Sequence, residues 1–480
     1  MSDFLDWDAG VLSAALREGR LTAEAVMTAT LERIAARNGA VNAIVDLRDT
    51  EALLAEARAA DEVPYEARGA LHGMPMAIKA LAHVKGTRNT EGSPLFVERI
   101  SEADSAFVAR MRAAGAIFIG KTNVPEFGLG SHSYNPVHGV TRNPFDAART
   151  AGGSSGGAGA ALALGLVALA DGSDMMGSLR NPAGWNNVYG FRPSWGVVPR
   201  EVGAESFWQQ LSTIGPMGRS PRDCALLLKV MAQAEQGVPF NMPAQDWEVP
   251  ELCAADGLRI GWLGDWGGAM PMEEGILPLC EAGLTVLAGA GAEIAPVDPP
   301  FDAEAMFQSW SALRAFALAG ELAPLYQEEA TRERLKPEVQ WEVRRGIEMD
   351  AMALHQATRV RSAWFAAAAE MFARFDAVVL PVAQCFPFPA EWDWPKDIGG
   401  QEMDTYHRWM QVMVPASLLG LPAISVPVGF DGRGLPMGMQ IIGAKGADRK
   451  VLEIAQAYHG ATHWPQQHPP QPREVGAASG

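Results

Sequence analysis

The sequence predicts an α/β fold, and three observations carry that expectation. Segments with helical periodicity alternate with short apolar runs of strand length along most of the chain. The 480 residues, 48% of them hydrophobic and 20% charged, suffice for a large buried core. No internal repeat and no interdomain linker is visible, so residues 1–464 read as one domain, although length alone allows about three units of roughly 150 residues.

The elements follow in order. The first 62 or so residues read as helical. Thr22 can cap a helix whose apolar positions Val26, Leu31 and Ile34 lie near one face, and Asn38-Gly39 is the expected stop. A second helix is expected over Thr50–Asp61. After the turn at His72-Gly73, the apolar run Met74–Ile78 suits a buried strand that ends at Lys79. Asp104–Ala114 reads as helix and Ala116–Ile119 as strand. Gly139–Gly157 is loop, Ala158–Leu169 a helix of small apolar residues, and Asp171–Arg180 loop again. Leu258–Leu263, Glu293–Val297, Ala377–Val382 and Ala423–Val428 read as strands. Asp302–Arg374 is helical and Phe386–Thr405 an excursion loop. The Pro-rich stretch 465–480 reads as a disordered tail.

The formal charge of −17 argues against nucleic acid or an anionic membrane as a partner, because both need a basic footprint. Cys224, Cys253, Cys280 and Cys385 show no CxxC spacing and are expected to be reduced, which fits a cytoplasmic protein. MSDFLDWDAG lacks the pattern of a secretory signal, and the run Ala158–Ala170 is too short to span a bilayer. The histidines include no HExxH motif, and His132 with His138 makes an unconvincing pair, so neither metal nor cofactor is expected.

Three pieces stand out: GMPMAIKA (Gly73–Ala80), AGGSSGGAGAA (Ala151–Ala161) and DGSDMMGSLRNPA (Asp171–Ala183). Lys79, read by itself, is as readily a surface lysine at a strand end as a functional group. The Gly-Ser run leads straight into an apolar helix, unlike a flexible linker. It lacks the Gly-Lys-[Ser/Thr] ending of a phosphate-binding loop. Gly152–Gly156 also matches the G-x-S-x-G nucleophile elbow, but that turn must follow a buried strand. TRNPFDAARTA, with Arg142, Pro144, Asp146 and Arg149, is a poor strand, and no downstream histidine, His407 and His459 included, sits in a commending context.

These pieces resemble the amidase signature family. Its members carry a lysine at a strand end, a G-G-S-S-G-G loop and a G-S-D-x-G-G-S-[I/V]-R segment; Ser178 follows Ser154 by the family's spacing of 24 positions. The resemblance extends to GKTNVPEFGLG (Gly120–Gly130), TRNPFD (Thr141–Asp146), GFRPSWGVVP (Gly190–Pro199), IGPMGRSPRD (Ile214–Asp223) and Pro415–Gly443. It implies a central mixed β-sheet flanked by helices on both faces. The signature core would span about 70–225, and a substrate-variable helical region about 300–410. It implies Ser178 as the nucleophile of an acyl-enzyme. Ser154, after a cis peptide bond from Gly153, would bridge Ser178 to Lys79 as base. The backbone N–H groups of Met175, Met176, Gly177 and Ser178 would form an oxyanion hole, and Gly128, Leu129, Gly130 and Ser131 would line the acyl site.

The chemistry has its own logic. A serine hydroxyl is a weak nucleophile until a base removes its proton, and lysine is a base only when neutral. That requires burial to lower its value by about three units from roughly 10.4. Two departures from the family pattern bear on this. Ala80 replaces the usual aspartate after the lysine, which removes one group favouring Lys⁺ and should leave Lys79 at least as easily neutralised. Met175-Met176-Gly177 replaces x-Gly-Gly, so Met176 would be strained if that position needed φ > 0.

The two thioethers either wall the acyl site or pack beneath the loop. Trp185, Trp195, Phe207, Trp208, Trp392 and Trp394 lean weakly toward aromatic substrates. The expected activity is hydrolysis of a small apolar or aryl amide by a monomer or homodimer, with anilides, esters and carbamates (a urethanase activity) open to the same machinery. Two alternatives are a glutamine-hydrolysing subunit of a tRNA-dependent amidotransferase and an inactive binding protein on this scaffold.

Overall fold

An eight-stranded mixed sheet runs through the centre of the computed structural model, which describes residues 3–199, 205–235, 237–240, 242–243 and 245–471. Its order is Glu293–Pro296, Arg259–Trp262, Ala377–Pro381, Pro436–Ile442, Ala423–Phe430, Tyr189–Arg192, Thr213–Gly218, Leu169–Asp174. The first three strands are parallel, and every later neighbour is antiparallel. Helices flank this sheet, as the resemblance implies.

A second sheet of three strands places Ile117–Thr122 between Ile44–Val45 and Pro75–Lys79. Its strand Pro75–Lys79 is buried at all five positions, the signature of a strand covered on both faces. The two sheets meet where the Lys79 backbone N–H donates to Asp171 Oδ1 at 3.0 Å. This contact carries the lysine to the end of the larger sheet.

The N-terminal helices are Ala9–Arg17, Ala23–Val41 and Thr50–Asp61. Thr22 caps the second by accepting the Ala25 N–H at 3.1 Å. That helix does not stop at Asn38-Gly39. It runs to Val41 and ends at Asn42 in the left-handed conformation, whose side chain donates to the carbonyls of His138 and Val140. Asn38 instead folds back onto Ala43 and Ile44, so its side chain serves the turn after the helix.

Two further expectations are corrected. The helix expected over Ala158–Leu169 is Gly156–Ala163, and the segment expected to be loop, Asp171–Arg180, begins inside the strand Leu169–Asp174. The polar residues Asp171, Ser173 and Asp174 have little intrinsic strand preference, but antiparallel pairing with Thr213–Gly218 overrides it. The tail is ordered as far as it is described: Trp464–Gln467 is helical, Pro465 is buried, and Asn187 donates to the Trp464 and His468 carbonyls. Residues 472–480 lie outside the described residues.

The helical stretch expected from Asp302 to Arg374 consists mainly of Ala303–Gln327, Pro337–Glu348 and Ala351–Phe372. A small apolar cluster of Leu318, Leu335, Val339 and Val343 takes in Leu129. It thereby fastens the loop around Gly128 to the first two of these helices.

Candidate active site

Burial decides the character of Lys79. The residue is 2% exposed, so the surface alternative is excluded. Its Nζ lies 2.8 Å from both Ser154 Oγ and Ser155 Oγ, and 2.9 Å from Ser173 Oγ. Desolvation draws the ammonium down to about 7, against the opposing pull of Asp171 and Asp174. Burial likewise pushes Asp171 up to about 6.

The peptide bond Gly153–Ser154 is cis. Gly153 has no room for a side chain, since a Cβ there would stand 2.9 Å from the His132 backbone nitrogen. Ser154 and Ser178 line one cavity of about 390 Å³ together with Lys79. Ser178 is 8% exposed, and among the described residues its hydroxyl makes no hydrogen bond. The structure therefore contains the Lys79–Ser154 contact, whereas the expected Ser154–Ser178 bridge is not closed.

The loop that presents Ser178 is clamped by Asp174. Its carboxylate accepts the N–H of Gly177 at 2.7 Å and of Leu179 at 3.3 Å, and it pairs with Arg180 and Arg192. All three charged side chains are fully buried. Burial opposes the charge of Asp174, but the two guanidinium groups hold its carboxyl well below the usual carboxylate range. Arg180 extends the network to Gln440 and Ser417 on distant elements.

The Gly177 contact corrects one expectation. That N–H is already committed to Asp174, so it is not a free oxyanion donor. The N–H groups of Met175, Met176 and Ser178 make no hydrogen bond among the described residues. The Met-Met departure is accommodated: Gly177 takes φ +87°, and Met176 is not among the residues with positive φ. Both methionines line the cavity, Met175 half-buried and Met176 buried, so the two thioethers wall the site.

Gly128, Leu129, Gly130 and Ser131 all line the same cavity. Gly128 has φ +72°, and a Cβ on it would stand 2.7 Å from Leu81 and 3.7 Å from Ser154 Oγ. Of the tryptophans singled out in the sequence, Trp185 is buried and stacks on Trp409, while Trp392 is exposed. Trp195 and Trp208 belong to a neighbouring cavity instead.

Sequence reasoning missed the opposite wall. Trp310 and Arg314, one turn apart on the helix Ala303–Gln327, both reach Met175: the indole N–H donates to its carbonyl at 3.2 Å and Arg314 to its sulfur at 3.0 Å. Arg314, Tyr406 and His407 converge on Glu342 Oε1 at 2.8, 2.9 and 2.7 Å. Burial works against the Glu342 charge, but His407 and Arg314 outweigh it and hold the acid down at about 2. An i, i+4 pair of Trp and Arg on one helix face is a readable signal. Glu342, Tyr406 and His407 carry none, because only the fold brings them together. Among the described residues no group of three or more His, Cys, Asp or Glu is arranged to hold a metal ion. No helix among them is long and apolar enough to cross a membrane.

The chain matches the family described as Amidase over residues 25–452. It is 33% identical over 499 aligned positions to a glutamyl-tRNA(Gln) amidotransferase subunit from Roseiflexus sp. (strain RS-1), covering 96% of this chain and 97% of the other. It superposes on a bacterial aryl acylamidase of the amidase signature enzymes with TM-score 0.89 and 27% identity, over 96% of this chain and 97% of the other. Against the corresponding glutamyl-tRNA(Gln) amidotransferase subunit from Thermotoga maritima the TM-score is 0.74 at 29% identity, over 91% of each chain. With a match across nearly its whole length and this sheet topology, the chain belongs to the amidase signature family of hydrolases.

Proposed function

We propose that the protein is an amidohydrolase that cleaves the C–N bond of a small apolar or aryl amide through an acyl-enzyme on Ser178. The observation that carries this reading is the environment of Lys79: a buried amine whose value falls to about 7, so that a large share is neutral at that pH, surrounded by three serine hydroxyls.

Hydrogen-bond counting gives the relay its direction. A neutral amine has two N–H donors and one lone pair. With Ser155 and Ser173 accepting the two protons, the lone pair is left for the Ser154 O–H. Ser154 Oγ can then accept the proton of Ser178 as that hydroxyl attacks the carbonyl carbon. The C–N bond breaks when the proton returns from Lys79 through Ser154 to the leaving nitrogen, and water repeats the sequence to release the acid. The free N–H groups of Met175, Met176 and Ser178 would receive the developing oxyanion.

Leu129, Met175, Trp310, Leu318 and Met410 offer an apolar substrate a wall, beside polar groups that include Glu91, Arg314 and Glu321. Likeness to the aryl acylamidase points the same way, with its higher TM-score. The second reading, a glutamine-hydrolysing amidotransferase subunit, is favoured by the relatives at 33% identity. Incubation with p-nitroanilides, simple amides, aryl carbamates and glutamine, with Ser178→Ala in parallel, tests both. Anilide or amide turnover lost in the variant supports the amidohydrolase. Turnover of glutamine alone, or of nothing until partner subunits are added, supports the second reading.

A further inference from the structure

A second cavity, of about 630 Å³, adjoins the first and shares Pro199, Gln209, Ser212 and Glu321 with it as walls. Its own lining is largely apolar and aromatic, with Trp195, Trp208, Leu211, Leu313 and Phe316. Trp208 and Phe316 lie against each other with ring centroids 6.0 Å apart, and both are exposed. Such a surface suits a flat or extended hydrocarbon group.

Arg361 reaches this apolar space from the helix Ala351–Phe372. Its one hydrogen bond among the described residues is a long one, 3.3 Å from Nη2 to Gln210 Oε1. No carboxylate of the described residues lies within 4 Å of it. Burial lowers its value, with no acid to offset the penalty. Lys445 stands 5.9 Å over the Trp195 ring and likewise lacks a salt-bridge partner among the described residues. The positive field of Arg361 adds to burial in lowering it.

Two glutamates line the cavity, and neither pairs with Arg361. Glu205 is engaged by the N–H groups of Phe207, Trp208 and Gln209, and Glu321 stands on the wall shared with the first cavity. Arg361 is thus a half-buried cation that lines an aromatic cavity without a counter-ion among the described residues, and the exposed Lys445 adds positive charge nearby. A half-buried guanidinium without an acid is costly, and an anion from outside would relieve it.

We propose that this cavity is the outer subsite of the cleft, taking an aromatic or aliphatic group that ends in a carboxylate paired with Arg361. The planar fork of Arg361 matches the two oxygens of a carboxylate. The proposal rests on the amidohydrolase reading for the role of the first cavity, and it adds the class of substrate: an amide whose far end carries an acid.

Calorimetric titration of the full chain with 4-phenylbutyrate and with neutral 4-phenylbutanol tests it without requiring turnover. The wild type should bind the acid at least about tenfold more tightly, the scale of one charged hydrogen-bonded contact. Arg361→Gln should bring the two ligands close to equal, and Arg361→Lys should restore part of the preference. Ala317→Trp, which fills the cavity, should abolish binding of both while leaving p-nitroacetanilide turnover unchanged. Equal wild-type affinities, or an equal loss of both ligands in Arg361→Gln, overturn the proposal. If Ser178→Ala leaves hydrolysis intact, the amidohydrolase reading fails while the binding result still decides the anionic site.

Discussion

The carboxylate of Asp174 receives the backbone N–H of Gly177 at 2.7 Å, one residue ahead of Ser178. A buried acid thus shapes the turn that carries the proposed nucleophile, and it is held ionised there by Arg180 and Arg192. Asp174→Asn would leave two buried guanidinium groups without a counter-charge. The expected loss is about 3–5 kcal/mol in denaturant unfolding. The native contribution of Asp174 should be fully present above the ordinary carboxylate value of 3.8 and be lost as pH falls below it, because the folded state holds this acid's value lower. A loss under about 1 kcal/mol would show that the clamp matters little.

The pH dependence of kcat/KM should report Lys79. Protonated lysine cannot accept a proton, so activity should rise with pH through an apparent value near 7. Asp171 favours the charged lysine, and Asp171→Asn should move this acidic limb to lower pH. An acidic limb near 10, the ordinary lysine range, or a shift upward in the variant, would remove Lys79 from the role of base.

Ser154 and Ser155 are equidistant from Lys79 Nζ but should not be equivalent. Ser154→Ala breaks the proposed relay and should cost about 10²–10⁴-fold in kcat. Ser155→Ala removes only an acceptor that orients the amine, with an expected loss of about tenfold. Parallel kinetics on one anilide check this, and equal losses would contradict the direction assigned to the lone pair.

Gly177→Ala should be damaging on two counts. The residue has φ +87°, and an added Cβ would stand 2.6 Å from Met413 Cγ. Left-handed backbone costs an L-residue about 1–2 kcal/mol. Met413→Ala should relieve the contact but not the backbone, so the double variant should recover only part of the activity. A single variant with wild-type kcat and stability would show that the turn tolerates a side chain.

Trp310→Phe removes the donor to the Met175 carbonyl while keeping an aromatic wall. A drop of about tenfold in kcat with little change in KM is expected, from a half-buried acceptor left unpaired. If KM alone rises, Trp310 serves substrate contact and does not position the loop.

The parts of the site that are legible in the sequence are those joined by short, ordered motifs. Lys79 ends an apolar run, and the Ser154 and Ser178 segments keep the spacing of the family. The strand Leu169–Asp174 is hard to read because Asp171, Gly172, Ser173 and Asp174 have the composition of a turn, and only pairing with Thr213–Gly218 makes them extended. The cluster of Arg314, Glu342, Tyr406 and His407 is hidden for a different reason. Its members come from three separate segments, and packing alone brings them together. Tail residues 465–468 read as disordered from their proline content, although the side chain of Asn187 holds the carbonyls of Trp464, just before them, and of His468.

The double hold of Trp310 and Arg314 on Met175 sets a limit on how this enzyme can be rebuilt. The helix Ala303–Gln327 faces the cavity that holds Ser178, so it is an obvious segment to exchange when altered selectivity is wanted. Yet the same helix grips the turn next to the proposed nucleophile. A chimera that imports a foreign helix will therefore inherit its donor's selectivity only if the Trp310 and Arg314 anchors travel with a matching residue at 175. Under the proposed function, selectivity and turnover would be geared together, and directed evolution would have to move them as one.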